Sequence, residues 1–269
     1  MRIYGDGSLI HQAVSDDGLI EVVDSGNIRS LHFGTFPRQS SMRLNQPHYL
    51  ELSYTQAMMG CLLLNPNPKR VLVIGLGGGS LVKFLLHHFP DCYVDVVEYR
   101  RDVVDVAQSF FQVPVDNPNL NINLGDGYLY VNQCFYQTDF SYDLILVDAY
   151  DQNGMAASVG VQAFFDACSG ILTDNGVLSI NLWGSERALF NSTMERINDS
   201  FQQRAMILPV ENKGNVIALA TKFNVENAYL KKLRQQVNNL EMMYQVNLPR
   251  SLQNLIRQNR NFIHRLFAI

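Results

Sequence analysis

The sequence has few cysteines, and none of them is placed for a disulfide framework or a zinc site. The 269 residues include four cysteines, and no two of them stand at C-x-x-C spacing. Scattered thiols in a chain of this length are typical of buried, reduced side chains. We therefore predict free thiols in the core at Cys61, Cys92, Cys134 and Cys168.

The sequence also lacks the segments that carry a chain into or across a membrane. Its N-terminus has no basic stretch followed by an apolar run, and nowhere do about 20 apolar residues follow one another. With 47% hydrophobic and 17% charged residues, the chain has the composition of a globular protein with a sizeable core. We expect a cytoplasmic protein that does not bind membranes.

Three common catalytic motifs are missing. His87 and His88 are adjacent and the other histidines are isolated, so no H-E-x-x-H metal pair is present. Ser80 follows a run of glycines, but Val82 stands where a G-x-S-x-G elbow has its last glycine, and the lysine of a phosphate loop is absent. The sequence disfavours metal, hydrolase and triphosphatase chemistry, and we expect no metal cofactor.

Basic residues are unevenly distributed. Residues 222–269 hold 8 basic and 2 acidic side chains, whereas residues 1–221 hold 13 basic and 23 acidic ones. An acidic body repels phosphates and the tail has no dense Lys/Arg run, so nucleic acid is not an expected partner. We expect the tail to dock on the body or on a second copy in a homodimer, and the body to favour a cationic small molecule.

The stretch RVLVIGLGGGSL, residues 70–81, organises the chain. A β-branched apolar run precedes Gly75, Gly77 and Gly79, and this pattern predicts a buried strand, a tight turn and a helix. Glycines give such a turn unrestricted φ and let a ligand lie against the backbone, while the next helix offers free N–H groups. A nucleotide-like ligand and a close-packed strand-to-helix corner both fit this turn taken alone.

From residue 70 onward, strand and helix patterns alternate. This alternation predicts an α/β protein with a doubly wound, Rossmann-like parallel sheet. Two final strands with a four-residue connection predict an antiparallel hairpin, an ending similar to that of S-adenosylmethionine-dependent methyltransferases. The predicted strands are 71–75, 93–98, 121–124, 143–148, 176–183, 205–210 and 215–221, and the helices are 80–89, 101–111, 127–135, 161–172 and 186–201.

Smaller units precede and follow this sheet. Residues 1–45 read as a β module, because apolar strands at 18–23 and 28–33 flank a turn sequence. The main domain spans residues 46–221. It opens with a helix predicted from Pro47 and a Pro/Asn linker that ends at residue 68. Residues 222–269 read as a helical extension with two amphipathic helices. The apolar residues of these helices are Leu230, Leu233, Val237 and Leu240, then Leu252, Leu255, Ile256, Phe262, Ile263 and Leu266.

Carboxylates follow three of the predicted strands, at the sheet edge where such folds bind ligands. Glu98 stands 23 residues after Gly75, close to the spacing of an acid that binds ribose hydroxyls. Asp126 fits either an adenine contact or a helix N-cap. Asp148 should emerge beside the glycine turn with Asp151 close by. One of this pair would take a proton from an amine while the other orients it, unless both serve the turn.

Several ordered motifs resemble the spermidine synthase family of aminopropyltransferases, and more closely its bacterial spermidine synthase-like relatives. They are NPNPKRVLVIGLGGGSL, VVEYR, GDG and YDLILVDAYD. The resemblance implies aminopropyl transfer from decarboxylated S-adenosylmethionine to putrescine, with release of methylthioadenosine. It implies that Glu98 binds ribose and that Asp148 accepts the proton. The other implied contacts are Asp126 and Gly127 with adenine, Gln39 near the sulfonium, and Tyr54 and Tyr150 with the acceptor.

Two departures from the family pattern keep other functions open. The family turn reads GGGDGG, and Gly78 stands here where its aspartate would engage the aminopropyl amine. The family's Tyr-His-Glu is here Tyr54-Thr55-Gln56, which has neither the charge nor the histidine. The alternatives are a methyltransferase that uses ordinary S-adenosylmethionine, and a non-catalytic nucleoside-binding or scaffold protein.

Overall fold

The N-terminal β module is a four-stranded antiparallel sheet. The computed structural model describes residues 7–35, 37–137, 141–151, 154–211 and 213–259. The module's strands pair in chain order, and they are β1 (Ser8–Ser15), β2 (Gly18–Ser25), β3 (Ile28–His32) and β4 (Ser40–Arg43). The two predicted strands are confirmed as β2 and β3. The sequence analysis did not foresee β1, which is largely exposed, or β4, which is only four residues long.

The prediction that a helix begins at Pro47 is wrong. Helix α1 spans Ser53–Met58 and continues as a 3₁₀ turn over Met59–Leu63. The preceding residues form turns instead, because Arg43 Nε donates to Glu51 Oε2 at 2.6 Å and its guanidinium lies 3.7 Å from the Tyr49 ring centroid. These contacts hold the segment away from a helical path. The helix then enters the core, where Met58 and the whole 3₁₀ turn are buried.

A seven-stranded mixed sheet forms the centre of the fold and confirms the Rossmann-like α/β class. Its strands are β5 (Arg70–Ile74), β6 (Tyr93–Glu98), β7 (Leu120–Leu124), β8 (Tyr142–Val147), β11 (Leu172–Trp183), β12 (Ala205–Pro209) and β13 (Asn215–Thr221). Their order across the sheet is β12-β13-β11-β8-β5-β6-β7. The five strands from β11 to β7 in this order are parallel, and β13 runs antiparallel to both β11 and β12.

Helices connect these strands within two residues of the predicted bounds. They are α2 (Ser80–His88), α3 (Arg101–Phe110), α4 (Gly127–Phe135), α5 (Gln162–Ile171) and α6 (Arg187–Ser200). A short hairpin, β9 (Tyr150–Asp151) and β10 (Gly154–Met155), and a 3₁₀ turn over Ala157–Gly160 follow β8. Strand β11 begins four residues earlier than predicted, and its register with β8 shifts between Leu172 and Val177.

The C-terminal extension packs on the body, which is one of the two alternatives expected from the charge asymmetry, and the homodimer stays a prediction. Helices α7 (Asn227–Tyr244) and α8 (Leu248–Gln258) place Leu233, Val237, Leu252 and Leu255 in the same apolar core as the central sheet. Arg250 Nε also donates to Glu211 Oε1 at 2.8 Å. The predicted contacts of Phe262, Ile263 and Leu266, and the side chain of Leu230, lie outside the described residues.

Two hydrophobic clusters cover the two faces of the sheet, and one of them continues into both the β module and the C-terminal helices. The three-part division drawn from the sequence therefore stays a prediction, since apolar packing crosses its boundaries. All four cysteines are buried and free, as predicted. Within the described residues, no helix is both long and apolar enough to span a bilayer.

Candidate active site

The glycine turn forms one wall of a deep cavity at the carboxyl edge of the sheet. Gly75, Gly77 and Gly79 have φ values of 92°, 52° and 66°, which only glycine adopts without strain. A Cβ on Gly75 would also lie 2.2 Å from the carbonyl oxygen of Asp148. The cavity has a volume of about 560 Å³. The glycines therefore let the turn approach both a ligand and the end of β8.

The structure brings the predicted carboxylates to this one cavity. Glu98 ends β6, Asp126 follows β7, and Asp148 follows β8, which pairs with β5 as predicted. All three line the cavity, together with Gly75 and Gly77. Strand ends of a parallel sheet meet at one edge, and this topology explains why residues so far apart in sequence converge.

Glu98 holds the glycine turn from inside the cavity. Its Oε2 accepts from the backbone N–H of Leu76 at 2.8 Å, and its Oε1 accepts from that of Arg100 at 2.9 Å. Burial raises the pKa of the Glu98 carboxyl, and the backbone hydrogen bonds from Arg100 and Leu76 oppose that rise. Each oxygen has further lone pairs, so the carboxylate can also accept from two neighbouring hydroxyls of a ligand.

Asp126 is the N-cap of α4. Its Oδ1 accepts from the backbone N–H of Leu129 at 2.9 Å, which is the capping role that the sequence analysis had left open. The residue also lines the cavity, next to Gly127. The cap uses one carboxylate oxygen, so capping and a ligand contact are compatible, and the adenine role stays a prediction.

Asp148 is held in place by two side chains from different parts of the fold. Its Oδ2 accepts from the hydroxyl of Tyr54 on α1 at 3.0 Å, and its Oδ1 accepts from Nδ2 of Asn181 on β11 at 2.9 Å. Burial raises the pKa of Asp148, and the hydrogen bonds from Asn181 and Tyr54 partly oppose the rise. Such a carboxylate is oriented, partly desolvated and suited to accept a proton.

Three of the remaining predicted contacts, Gln39, Tyr54 and Tyr150, line the same cavity as Asp148. Gln39 lines the cavity, and its backbone carbonyl accepts from the Tyr54 hydroxyl at 3.3 Å. Burial raises the pKa of Tyr54 well above its usual range, and the negative charge of Asp148 raises it further. The phenol therefore stays protonated and remains a donor at neutral pH. Tyr150 lines the cavity as well. The backbone of Asp151 lies in β9, but its side chain is outside the described residues, so its role stays a prediction.

Asn181 is a site residue that the sequence analysis missed. It is 3% exposed within the apolar strand β11, and its Oδ1 accepts from Nδ2 of Asn215 at 3.0 Å. A lone amide in the stretch VLSINLW was the available signal, because a buried amide needs polar partners. The register of β11 with β8, which supplies those partners, could not be read from local sequence.

Position 78 is packed against two neighbours. A Cβ on Gly78 would lie 2.7 Å from Ser40 Oγ and 2.8 Å from a ring carbon of Phe111. Ser40 Oγ is 3.1 Å from Ser80 Oγ, and both hydroxyls line the cavity. An aspartate at position 78 would therefore require these neighbours to move. The cavity wall here carries neutral hydroxyls instead of a carboxylate.

Lys83 supports the turn from behind. Its ammonium donates to the carbonyl oxygens of Gly78 at 2.9 Å and Phe111 at 2.6 Å, and its Nζ is 3.1 Å from the sulfur of Met42. These three contacts match the three donors of an ammonium group. The side chain is 6% exposed, and burial lowers the pKa of Lys83 to about 7. The contacts tie the turn to the β module and to the end of α3.

Arg100 joins the β module to the cavity. Its Nη1 donates to the carbonyl oxygen of Asp17, in the turn after β1, at 3.0 Å, and its Nη2 lies 2.7 Å from Asp102 Oδ2. The guanidinium also lies 4.8 Å from the ring centroid of Phe33. Asp17 and Phe33 line the cavity, so the module contributes part of its wall.

Among the residues that the structure describes, no group of three or more His, Cys, Asp or Glu could hold a metal ion.

Comparison with known proteins places this chain in a family. The model of the spermine/spermidine synthase domain matches residues 51–208. The chain belongs to the spermine/spermidine synthase family. A relative from Chromobacterium violaceum called polyamine aminopropyltransferase is 37% identical over 222 residues, which cover 82% of this chain and 83% of the relative. The resemblance found in the motifs is thereby confirmed.

Two solved structures share the fold. A crystal structure of spermidine synthase in complex with the transition-state analogue AdoDATO aligns with a TM-score of 0.67 and 19% identity, over 89% of this chain and 84% of that one. Human methyltransferase-like protein 13 in complex with SAH aligns with a TM-score of 0.63 and 24% identity, over 75% of this chain and 93% of that one. At these identities the alignments establish the fold alone.

Proposed function

We propose that this protein is an aminopropyltransferase that moves the aminopropyl group of decarboxylated S-adenosylmethionine to a small amine or polyamine. The name of the Chromobacterium violaceum relative and the family of the chain support this activity. The observation that carries the proposal is Asp148, a carboxylate beside the glycine turn that Tyr54 and Asn181 orient.

The proposed step is a direct displacement. The lone pair of the acceptor nitrogen forms a C–N bond to the aminopropyl carbon attached to the sulfonium, while the C–S bond breaks and its electrons return to sulfur. Methylthioadenosine leaves, and the acceptor nitrogen loses a proton. An aliphatic amine is mostly protonated at neutral pH. Asp148 therefore accepts a proton from the acceptor, and Glu98 holds the ribose hydroxyls of the donor.

A second candidate is methyl transfer from S-adenosylmethionine. One observation favours it, namely the neutral wall at Gly78, Ser40 and Ser80, where no side chain carboxylate would repel the carboxylate of that donor. We expect S-adenosylmethionine to bind at least comparably to its decarboxylated form. Calorimetric titration of both nucleosides tests this, and a strong preference for the decarboxylated compound would contradict it.

The test of the proposed function measures products. The protein is incubated with either donor and a panel of amines, and the released nucleosides are separated by liquid chromatography. The proposal predicts amine-dependent release of methylthioadenosine from decarboxylated S-adenosylmethionine. Release of S-adenosylhomocysteine alone, from S-adenosylmethionine, would establish methyl transfer instead. Binding of both donors with no turnover across the panel would favour a non-catalytic role.

A further inference from the structure

Asn215 is connected to Asp148 through Asn181. Asn181 donates from Nδ2 to Asp148 Oδ1 at 2.9 Å, and its own Oδ1 accepts from Nδ2 of Asn215 at 3.0 Å. Asn215 begins β13, and Ile217 of that strand pairs with Asn181 in the antiparallel ladder. Residues two apart on a strand share a face, so Asn215 is a diagonal neighbour of Asn181. The two amides and the carboxylate form one hydrogen-bond network.

The hydrogen bonds of this network have a single direction. An ionised carboxylate only accepts, so Asn181 must present the N–H groups of its amide to Asp148. Its oxygen then faces Asn215, from which it accepts. A half-turn of the Asn181 amide would bring its oxygen against the carboxylate and its N–H groups against those of Asn215. Both hydrogen bonds would be lost.

Hydrogen bonds also fix the backbone at both amides. The carbonyl oxygen of Asn181 accepts from the Tyr150 hydroxyl at 3.0 Å. The carbonyl oxygen of Asn215 accepts from the backbone N–H of Val210 at 3.0 Å. The amide of Asn181 can therefore change its hydrogen bonds by turning about its own side chain, while the strand stays in place.

Asp148 needs this amide to stay in one orientation because its own hydrogen bonding changes during the proposed reaction. As a carboxylate it accepts from Asn181, and once it has taken the proton of the amine it can also donate. An amide that turns freely would then offer its oxygen to the protonated acid. That hydrogen bond would stabilise the acid and retain its proton. Asn215 opposes the turn, because N–H groups would then face one another.

We propose that Asn215 is a positioning residue, which holds the amide of Asn181 in the orientation that returns Asp148 to its ionised form after each transfer. This inference rests on the proposed function and deepens it, since it concerns the base of that reaction. Within the described part of the chain, the lining of the cavity does not include Asn215, so this residue acts through Asn181. Asn215 is half-buried at the start of its strand, where a substitution leaves the core intact.

Other titratable and charged groups surround Asp148 and stay the same when Asn215 is replaced. Two phenols are close to it, because Tyr54 on α1 donates to its Oδ2 at 3.0 Å and Tyr150 on β9 lines the same cavity. The glycine turn after β5 approaches it with backbone alone at Gly75. The charged residues of the cavity wall are Asp16, Asp17, Glu98, Arg100 and Asp126, and Asp151 follows Asp148 by three residues.

Asn215→Asp tests the proposal by reversing the network. An ionised aspartate only accepts, so the Asn181 amide should turn its N–H groups toward it and its oxygen toward Asp148. The loss of one hydrogen bond to a charged group should move the acidic limb of the pH profile of kcat/KM to higher pH by between about one and two pH units. Asn215→Leu adds no charge and should give a smaller shift in the same direction. Asn191→Asp adds the same charge at an exposed position on α6 and is the matched control.

A double-mutant cycle separates the effect of the amide from that of the added charge. In the Asn181→Leu background, Asn215→Asp keeps its charge but has no amide to turn, so it should move the limb little further. An equal shift in both backgrounds would mean that the charge acts on Asp148 directly, and the proposal would be overturned. An acidic limb that stays in place in Asn215→Asp would overturn it as well.

A titration without substrates separates this proposal from the proposed function. The carboxyl-carbon NMR resonance of Asp148, identified by its loss in Asp148→Asn, gives the pKa of this group without turnover. If Asn215→Asp raises that pKa when Asn181 is present and not in Asn181→Leu, the positioning role stands even where no amine reacts with either donor. If amines react and the pKa of Asp148 is the same in Asn215→Asp and the wild type, the positioning role is wrong and the proposed function holds.

Discussion

Replacement of Glu98 by glutamine should weaken both nucleoside binding and the glycine turn. The Glu98 carboxylate accepts one backbone N–H on each oxygen, from Leu76 at 2.8 Å and from Arg100 at 2.9 Å. Glu98→Gln turns one acceptor into a donor that faces a buried N–H group. The loss of a hydrogen bond to a charged group amounts to about 1.5 to 3 kcal/mol, and we expect the free energy of unfolding to fall by that amount.

Nucleoside binding should decrease by a similar free energy. A ribose that loses its charge-assisted hydrogen bonds to Glu98 forfeits about 1.5 to 3 kcal/mol, which raises the Kd roughly tenfold to 150-fold. Calorimetric titration with methylthioadenosine measures the affinity, and urea unfolding without ligand measures the stability. The two measurements separate the effect on the ligand from the effect on the turn.

Asp126→Asn is the matched control for the stability effect of Glu98→Gln, and it is not used as a control for affinity because Asp126 is itself a predicted adenine contact. It also removes one negative charge from the cavity wall, but asparagine caps a helix about as well as aspartate, so stability should change little. If Glu98→Gln lowers stability while its affinity for methylthioadenosine stays at the wild-type value, Glu98 only supports the turn. The assignment of Glu98 to the ribose would then be refuted.

Two further predictions concern positioning residues. Asn181→Leu removes a hydrogen bond that lowers the pKa of Asp148. The acidic limb of the pH profile of kcat/KM should therefore move to higher pH. An unchanged limb would show that Asn181 does not act on the reacting carboxylate. Burial lowers the pKa of Lys83 to about 7, below the 10.5 of an exposed lysine. At a pH between these two values, the Lys83 side chain is mostly protonated in the unfolded chain and mostly neutral in the folded one. Wild-type stability should therefore rise with pH across that window, by up to about 1.4 kcal/mol per pH unit, and urea unfolding of Lys83→Met should show a flatter dependence.

Much of the site could be read from the sequence, because parallel sheets bind ligands where their strands end. Glu98 and Asp148 end or follow apolar strands whose pattern is strong, and the glycine run marks the strand between them. Strand order then follows from the fold class, which places β8 beside β5. These inferences need only local pattern and one topological rule.

The partners of Asp148 required information that local pattern does not hold. Asn181 reaches Asp148 only because β11 pairs with β8 in one register, and that register is fixed by packing over the whole sheet. The late start of α1 has a similar cause. Pro47 begins an acceptable helix by propensity, but Arg43, Glu51 and Tyr49 make tertiary contacts that favour turns there.

The central claim is that Asp148 accepts the proton of the reacting amine, and Asp148→Asn tests it most directly. An asparagine can keep its oxygen toward Asn181 and donate its amide to the Tyr54 hydroxyl, so the local network survives while the base is lost. We predict that turnover at saturating donor and acceptor falls by about 10² to 10⁴-fold, with the affinity for methylthioadenosine nearly unchanged. Near-normal turnover of Asp148→Asn, with the chemical step shown to be rate-limiting, would contradict the account and leave Asp148 a structural residue.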